Sequence, residues 1–122
     1  MKFVILDTNF ILSCVRKKID FFTEIKYLGL KIIIPIQVIT ELEKISKTGK
    51  IKFQEEAKFS LKLIKKNSFE KIDLKIKNVD NGFVNIAKEN KELVIATLDK
   101  EIQNKIKNQK MIIRGNKKLE II

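Results

Sequence analysis

Histidine is absent from this 122-residue chain. With it go Ser-His-Asp and Cys-His nucleophilic chemistry, imidazole acid–base catalysis and His-ligated zinc. The single cysteine, Cys14, excludes an internal disulfide and a Cys-based zinc site. It falls on the apolar face of the first helical stretch and reads as core filling. No apolar run is long enough to span a bilayer, and the N-terminus enters a strand pattern without the charged region and cleavage site of a secretory leader. A cytoplasmic location and no membrane association are therefore expected. Arginine is scarce as well: Arg16 and Arg114 alone carry the flat fork that reads a base edge bidentately. An enzyme built on this chain must work with carboxylates, lysines or a bound metal.

Lysine is what the chain has in excess. Lys plus Arg number 26 against 15 acids, a formal net charge of +11, which suits a polyanion held mostly through its phosphates and with weak sequence selectivity. An AT-rich genome or growth at high temperature also enriches lysine, but neither by itself needs so large an excess of one sign. At this length one hydrophobic core is expected, hence a single domain over residues 1–122.

Phe3-Val4-Ile5-Leu6 has the continuous apolar character of a strand buried on both faces, and it stops at Asp7. Helical spacing follows, with Ile11, Cys14 and Val15 on one face and Asn9 as the expected N-cap. A helix over 20–28 ends at Gly29, and Lys31 to Ile34, closed by Pro35, makes a second strand. From Ile36 to Lys47 a helix turns Val38, Leu42 and Ile45 inward, with Glu41 at the border between core and solvent. Ile51 to Lys66 is the longest helical pattern, and Phe69 to Leu74 reads as an exposed edge strand. Asp80 is expected to cap a helix that carries Phe83, Ile86 and Ala87 inward. Leu93 to Leu98 repeats the opening plan, ending at Asp99 before a helix with Ile102 and Ile106 inward. Met111-Ile112-Ile113 is a short strand, Arg114 to Lys118 a basic turn, and Leu119 to Ile122 a terminal extended piece.

Alternating strands and helices predict right-handed crossovers and a three-layer α/β/α fold around a mainly parallel sheet of about five strands. Those crossovers bring the carboxyl ends of all parallel strands to one edge. Asp7 and Asp99 follow the two most apolar strands, while Asp80 and Glu41 belong to helices entered from that same edge. Four acids gathered in a cationic protein call for a neutralising cation, and an all-oxygen donor set favours Mg²⁺ or Mn²⁺. A hard ion surrounded by basic surface suits a phosphodiester substrate.

The stretches Leu6-Asp7-Thr8-Asn9-Phe10-Ile11-Leu12, Pro35 through Glu43, Val79-Asp80-Asn81-Gly82-Phe83-Val84 and Ala96-Thr97-Leu98-Asp99-Lys100-Glu101 resemble, in order and spacing, the four acidic motifs of PIN-domain ribonucleases. The closing Arg114 to Leu119 looks more like the archaeal branch related to endonucleases of ribosomal-RNA processing than like VapC-type toxins. The resemblance implies a Mg²⁺- or Mn²⁺-dependent endoribonuclease. In it Asp7, Glu41, Asp80 and Asp99 would be the catalytic, metal-holding acids. Asn9, Thr97 and Asn81 would orient carboxylates and water, and Lys17, Lys18, Lys100, Arg114, Lys117 and Lys118 would contact RNA. It also allows a homodimer and, for a toxin, an antitoxin partner. One departure stands out: where many members have paired acids at the third motif, this chain has Asp80-Asn81, so either position could supply that ligand. Two other readings remain open at this level. One is a catalytically weak PIN fold that binds RNA or protein; the other is a receiver-like signalling domain, which also places acids at strand ends.

Overall fold

The computed structural model describes residues 2–115 and 117–122. Among them, six strands and six helices follow one another as β1 (Phe3–Leu6), α1 (Thr8–Arg16), α2 (Phe21–Tyr27), β2 (Lys31–Pro35), α3 (Ile36–Thr48), α4 (Ile51–Lys66), β3 (Glu70–Ile72), α5 (Val79–Glu89), β4 (Val94–Ala96), α6 (Lys100–Lys105), β5 (Lys110–Arg114) and β6 (Lys118–Ile121).

The sheet runs β3-β2-β1-β4-β5-β6. All neighbouring strands pair in parallel except β5 and β6, which are antiparallel. At its centre Ile5 lies opposite Ile33 on one side and Ile95 on the other. Val4, Ile5, Leu6, Val94, Ile95 and Ala96 are all fully buried, as unbroken apolar strands covered by helices on both faces should be. Each such Ile or Leu contributes roughly 1.5–3 kcal/mol through removal of apolar surface from water. Cys14 is also fully buried, and burial pushes its thiol up to about 12, so it is inert filling of the core.

The chain leaves β1 for β2 on one side and later adds β4 on the other. That reversal opens a crevice at the carboxyl ends of β1 and β4, where open parallel sheets bind their ligands. Asp7 and Thr97 directly follow these two strands.

Local chemistry moves several boundaries from where the sequence alone puts them. Asn9 does not cap α1; Asp7 does, its carboxylate accepting from the Thr8 N–H. Asp80 does not cap α5 either: Asn78 does, accepting from the Asn81 N–H at 3.0 Å, and Asp80 sits within the first turn. In both cases the chain enters the helix two residues earlier, because a suitable acceptor oxygen is already there. The expected edge strand over 69–74 contracts to the three residues of β3. The terminal extended piece becomes a sixth strand, β6, because Ile121 and Leu119 pair with Met111 and Ile113 of β5. Asn116, part of the basic turn between them, lies outside the described residues. No helix of the described residues is long and apolar enough to cross a membrane.

Gly82 sets the seat of α5. A Cβ there would meet the Leu74 side chain at 2.9 Å and the Ile76 side chain at 3.0 Å, so only glycine lets the helix carrying Asp80 lie this close to the segment before it.

Candidate active site

At the β1–α1 junction, Asp7 is only 7% exposed. One carboxylate oxygen accepts from the Thr8 N–H at 2.8 Å, and the other accepts from the Thr97 hydroxyl at 2.9 Å. The main chain is fixed as well, since the Asp7 N–H donates to the Ala96 carbonyl at 3.0 Å. Thr97, fully buried just past β4, therefore donates to Asp7 while its oxygen accepts from the Asp99 N–H at 3.2 Å. Gln103 holds it from the other side by donating to its carbonyl at 2.8 Å. Thr8 does the matching work toward α3, donating its hydroxyl to Glu41 Oε1 at 2.6 Å. Glu41, Thr8, Asp7, Thr97 and Asp99 thus form one hydrogen-bonded chain across α3, β1 and β4.

Burial drives the Asp7 carboxyl up to about 6, because removing a carboxylate from water penalises its charged form. The bonds from Thr97 and Thr8 pull the other way, and the nearby negative charges of Glu41 and Asp80 add to the rise. Among the described residues none of Asp7, Glu41, Asp80 and Asp99 takes part in an ion pair. The anion at Asp7 is therefore surrounded by more anions and by no protein cation. Such a set of hard oxygen donors fits a divalent metal ion. No three of these acids lie close enough to bracket an ion by themselves among the described residues, so an ion here would complete its shell with water or substrate oxygens.

Asp99 is arranged differently. Half-buried, it caps α6 through one oxygen, which accepts from the N–H groups of Glu101 at 2.9 Å and Ile102 at 3.4 Å. Its other oxygen makes no hydrogen bond with the described residues. Asp99 also lines a cleft of about 370 Å³ together with Asn9, Ser13, Arg16 and Leu98. A larger cavity of about 630 Å³ opens at the opposite, amino-terminal edge, where Lys2, Phe3 and Leu93 begin β1 and β4. It contains none of the four acids, and the strand ends that carry ligands in parallel sheets face away from it.

The model of a family described as PIN-like domain matches residues 4–115. The chain belongs to the PIN-like domain family. Ribonuclease VapC4 of Methanocaldococcus jannaschii is 32% identical over 124 residues, covering 97% of this chain and 95% of that protein. The solved structure of the PIN domain endonuclease Utp24 superimposes with a TM-score of 0.78 at 27% identity, over 97% of this chain and 89% of that one.

Within this PIN-like domain the structure brings Asp7, Glu41 and Asp99 into the hydrogen-bonded chain and puts Asp80 near enough for its charge to act on Asp7. Asn81 is exposed, and its N–H is spent on Asn78. Asn9 lines the cleft beside Asp99. The basic residues divide into two groups. Lys100 opens α6 next to Asp99, and Arg114 and Lys118 face each other at the end of the β5–β6 pair, with exposed Lys117 in the turn between them. Because β5 runs parallel to β4, this turn stands at the same edge as the acids. Arg114 is paired with Glu120 at 2.7 Å. Lys17 and Lys18 lie at the far end of α1, and Lys18 borders a separate apolar groove with Phe59 and Leu63.

Reading the sequence undervalued Thr8 and Arg16. Thr8 stands inside the first motif, where its tie to Glu41 is a contact made across 33 positions. Arg16 follows Asn9 and Ser13 at i, i+4 and i+7, a polar stripe on a largely apolar helix in which Ser13 is itself buried, and that spacing was legible in the chain.

Proposed function

We propose that this PIN-like domain is a divalent-metal-dependent endoribonuclease. The reading is supported by the names of its relatives, one a ribonuclease and one an endonuclease. The observation that carries it is Asp7, a buried carboxylate pressed by neighbouring acids and paired with no cation among the described residues. Asp7, Glu41, Asp80 and Asp99 would hold the ion, with Asp80 as the third acid because it brings a charge close enough to act on Asp7 whereas Asn81 would bring only a neutral oxygen. The family's resemblance to Mg²⁺- and Mn²⁺-dependent nucleases makes those two ions the first to test. When bound, such an ion would acidify a water and offset charge on the phosphodiester.

The residues of the chain do the rest. Thr97 and Thr8 hold Asp7 and Glu41 in fixed directions, and supporting bonds of this type are worth about 10–100-fold in metal affinity or activity. Lys100 and the basic β5–β6 turn would draw the RNA backbone to the acidic edge by phosphate contacts. Lys17 and Lys18 would serve strand contacts further from the bond being cut. An intracellular role in ribosomal-RNA processing and action as a toxin with an antitoxin partner are both compatible with this site. Growth arrest on expression, relieved by Asp7→Asn, would mark the toxin.

Incubation of single-stranded and structured RNA with the protein, in Mn²⁺ and in chelator, tests the proposal. Metal-dependent internal cleavage that disappears in Asp7→Asn is expected. Cleavage no greater than that of Asp7→Asn would favour the second reading, a PIN fold that only binds RNA or protein. Two observations give that reading its footing: the neutral Asn81 at the third motif, and the absence of a ready-made three-acid cluster among the described residues.

A further inference from the structure

Arg16 stands at the end of α1, yet it shares the cleft with Asp99 near the other end of that helix. Helical side chains lean toward the N-terminus, so a long side chain here reaches back along the Asn9–Ser13 stripe. Its guanidinium is already fixed. Nε and one Nη2 hydrogen are donated to the two oxygens of Glu56 at 2.9 and 2.8 Å, and the group lies over the Phe53 ring, 5.5 Å from its centroid. Glu56 is largely covered, its side chain 13% exposed against 42% for Arg16. Five N–H donors less two leaves three, and these find no protein acceptor among the described residues. They belong to the outer edge of the fork, which is the part still open to solvent.

A tie between α1 and α4 explains the pair but not its direction. The bidentate bond to Glu56 uses one edge of the fork only, and the tie would be made whether or not the side chain also lined a cleft. A planar fork locked on one edge, carried by a side chain that lines the same cleft as an acid of the proposed metal site, has the geometry that recognises phosphate oxygens. Because Glu56 and Phe53 already hold the group still, RNA would bind without first ordering a flexible side chain.

We propose that Arg16 anchors the RNA backbone, donating from its free edge to the non-bridging oxygens of a phosphodiester that flanks the bond to be cut. Leu98, 39% exposed and in the same cleft, would lie against the adjoining ribose or base. This assignment rests on the ribonuclease reading for its substrate, but its test does not depend on cleavage.

The experiment is fluorescence anisotropy of a labelled single-stranded RNA with Asp7→Asn protein in chelator, across a series of KCl concentrations. The same titration is run with Arg16→Ala added, and separately with Lys91→Ala, which removes an exposed lysine just ahead of β4 at the opposite edge of the sheet. Arg16→Ala is expected to weaken binding about tenfold and to lower the slope of log K against log[KCl] by about 0.7, one phosphate contact on a single strand. Lys91→Ala is expected to change affinity less than twofold. Circular dichroism at each step confirms that the variants are folded. An Arg16→Ala affinity and slope equal to the parent, or a loss matched by Lys91→Ala, would overturn the assignment. RNA that binds through Arg16 but is never cut would leave the anchor standing and remove the nuclease.

Discussion

Two strand-to-helix junctions in this chain follow one plan and end in different states. At each, an apolar buried strand stops and an Asp becomes the N-cap of the helix that leads away, a largely buried α1 at the first and a polar α6 at the second. Asp7 at the first junction is 7% exposed, and both of its oxygens are engaged, one of them by a residue from the other junction. Asp99 at the second is half-buried and spends one oxygen on its own helix. Thr97 links the two, donating to one Asp and accepting from the backbone of the other. Capping a helix needs no burial, since exposed side chains do it throughout proteins. What singles out Asp7 is that the fold encloses a charge it does not itself neutralise. The comparison therefore teaches that a cap and a candidate ligand can have the same sequence signature and be told apart by solvent and neighbouring charge.

The largest expected effect comes from removing the charge at Asp7. Asp7→Asn should lower RNA cleavage by more than about 100-fold, beyond the range of a supporting bond, in a single-turnover assay with Mn²⁺. In the metal-free protein the same change removes the pH-dependent cost of the buried charge, while exchanging one of the two acceptor oxygens for an NH₂ loses a hydrogen bond worth about 1–3 kcal/mol. The folded pKa, about 6, exceeds the ordinary value of 3.8. The fold is thus favoured below the unfolded value and loses that advantage as pH rises through 6, a cost of about 3 kcal/mol. Urea unfolding in chelator should therefore show wild type weakening between pH 4 and pH 7, roughly the window set by those two values, and Asp7→Asn nearly flat. A wild type as pH-insensitive as the variant would erase the contrast between the junctions.

Thr97→Val removes the bridge and keeps the shape. It should cost about 10–100-fold in metal affinity, read by the Mn²⁺ dependence of cleavage. Asp99→Asn should lower cleavage by a similar factor while leaving stability within about 0.5 kcal/mol, since Asn caps a helix as well as Asp does. Equal destabilisation of Asp7→Asn and Asp99→Asn in chelator would show that the two junctions differ less than their burial implies. The smallest effect is expected at the third motif. Asp80→Asn should weaken Mn²⁺ dependence severalfold, and Asn81→Ala should leave it unchanged; the reverse order would move the third ligand to Asn81.

Much of this arrangement was legible in the chain because the strongest signals are local. The apolar runs that became β1 and β4, the pairing of strand ends with Asp7 and Asp99, and the extent of α4 follow from hydrophobic periodicity alone. The cap of α5 was not, because Asn78 and Asp80 carry equally good acceptor oxygens two positions apart and local pattern does not choose between them. The terminal piece was legible as extended chain but not as a sixth strand of the sheet, because its few residues carry little signal until β5 supplies a partner. The contacts that join the site, Thr97 to Asp7 and Thr8 to Glu41, cross 90 and 33 positions. Nothing in local pattern encodes a hydrogen bond between distant side chains. The same holds for Arg16, whose stripe on α1 was visible but whose partner Glu56 lies 40 positions away.

Carbon-13 NMR of the side-chain carboxyl groups, titrated from pH 3 to pH 8 with and without Mg²⁺, tests the central claim most directly. Without metal the Asp7 resonance should titrate near 6, and saturating Mg²⁺ should drive that midpoint well below its ordinary value as the ion supplies the missing charge. A midpoint near 3.8 without metal, or one that Mg²⁺ does not move, would contradict the account.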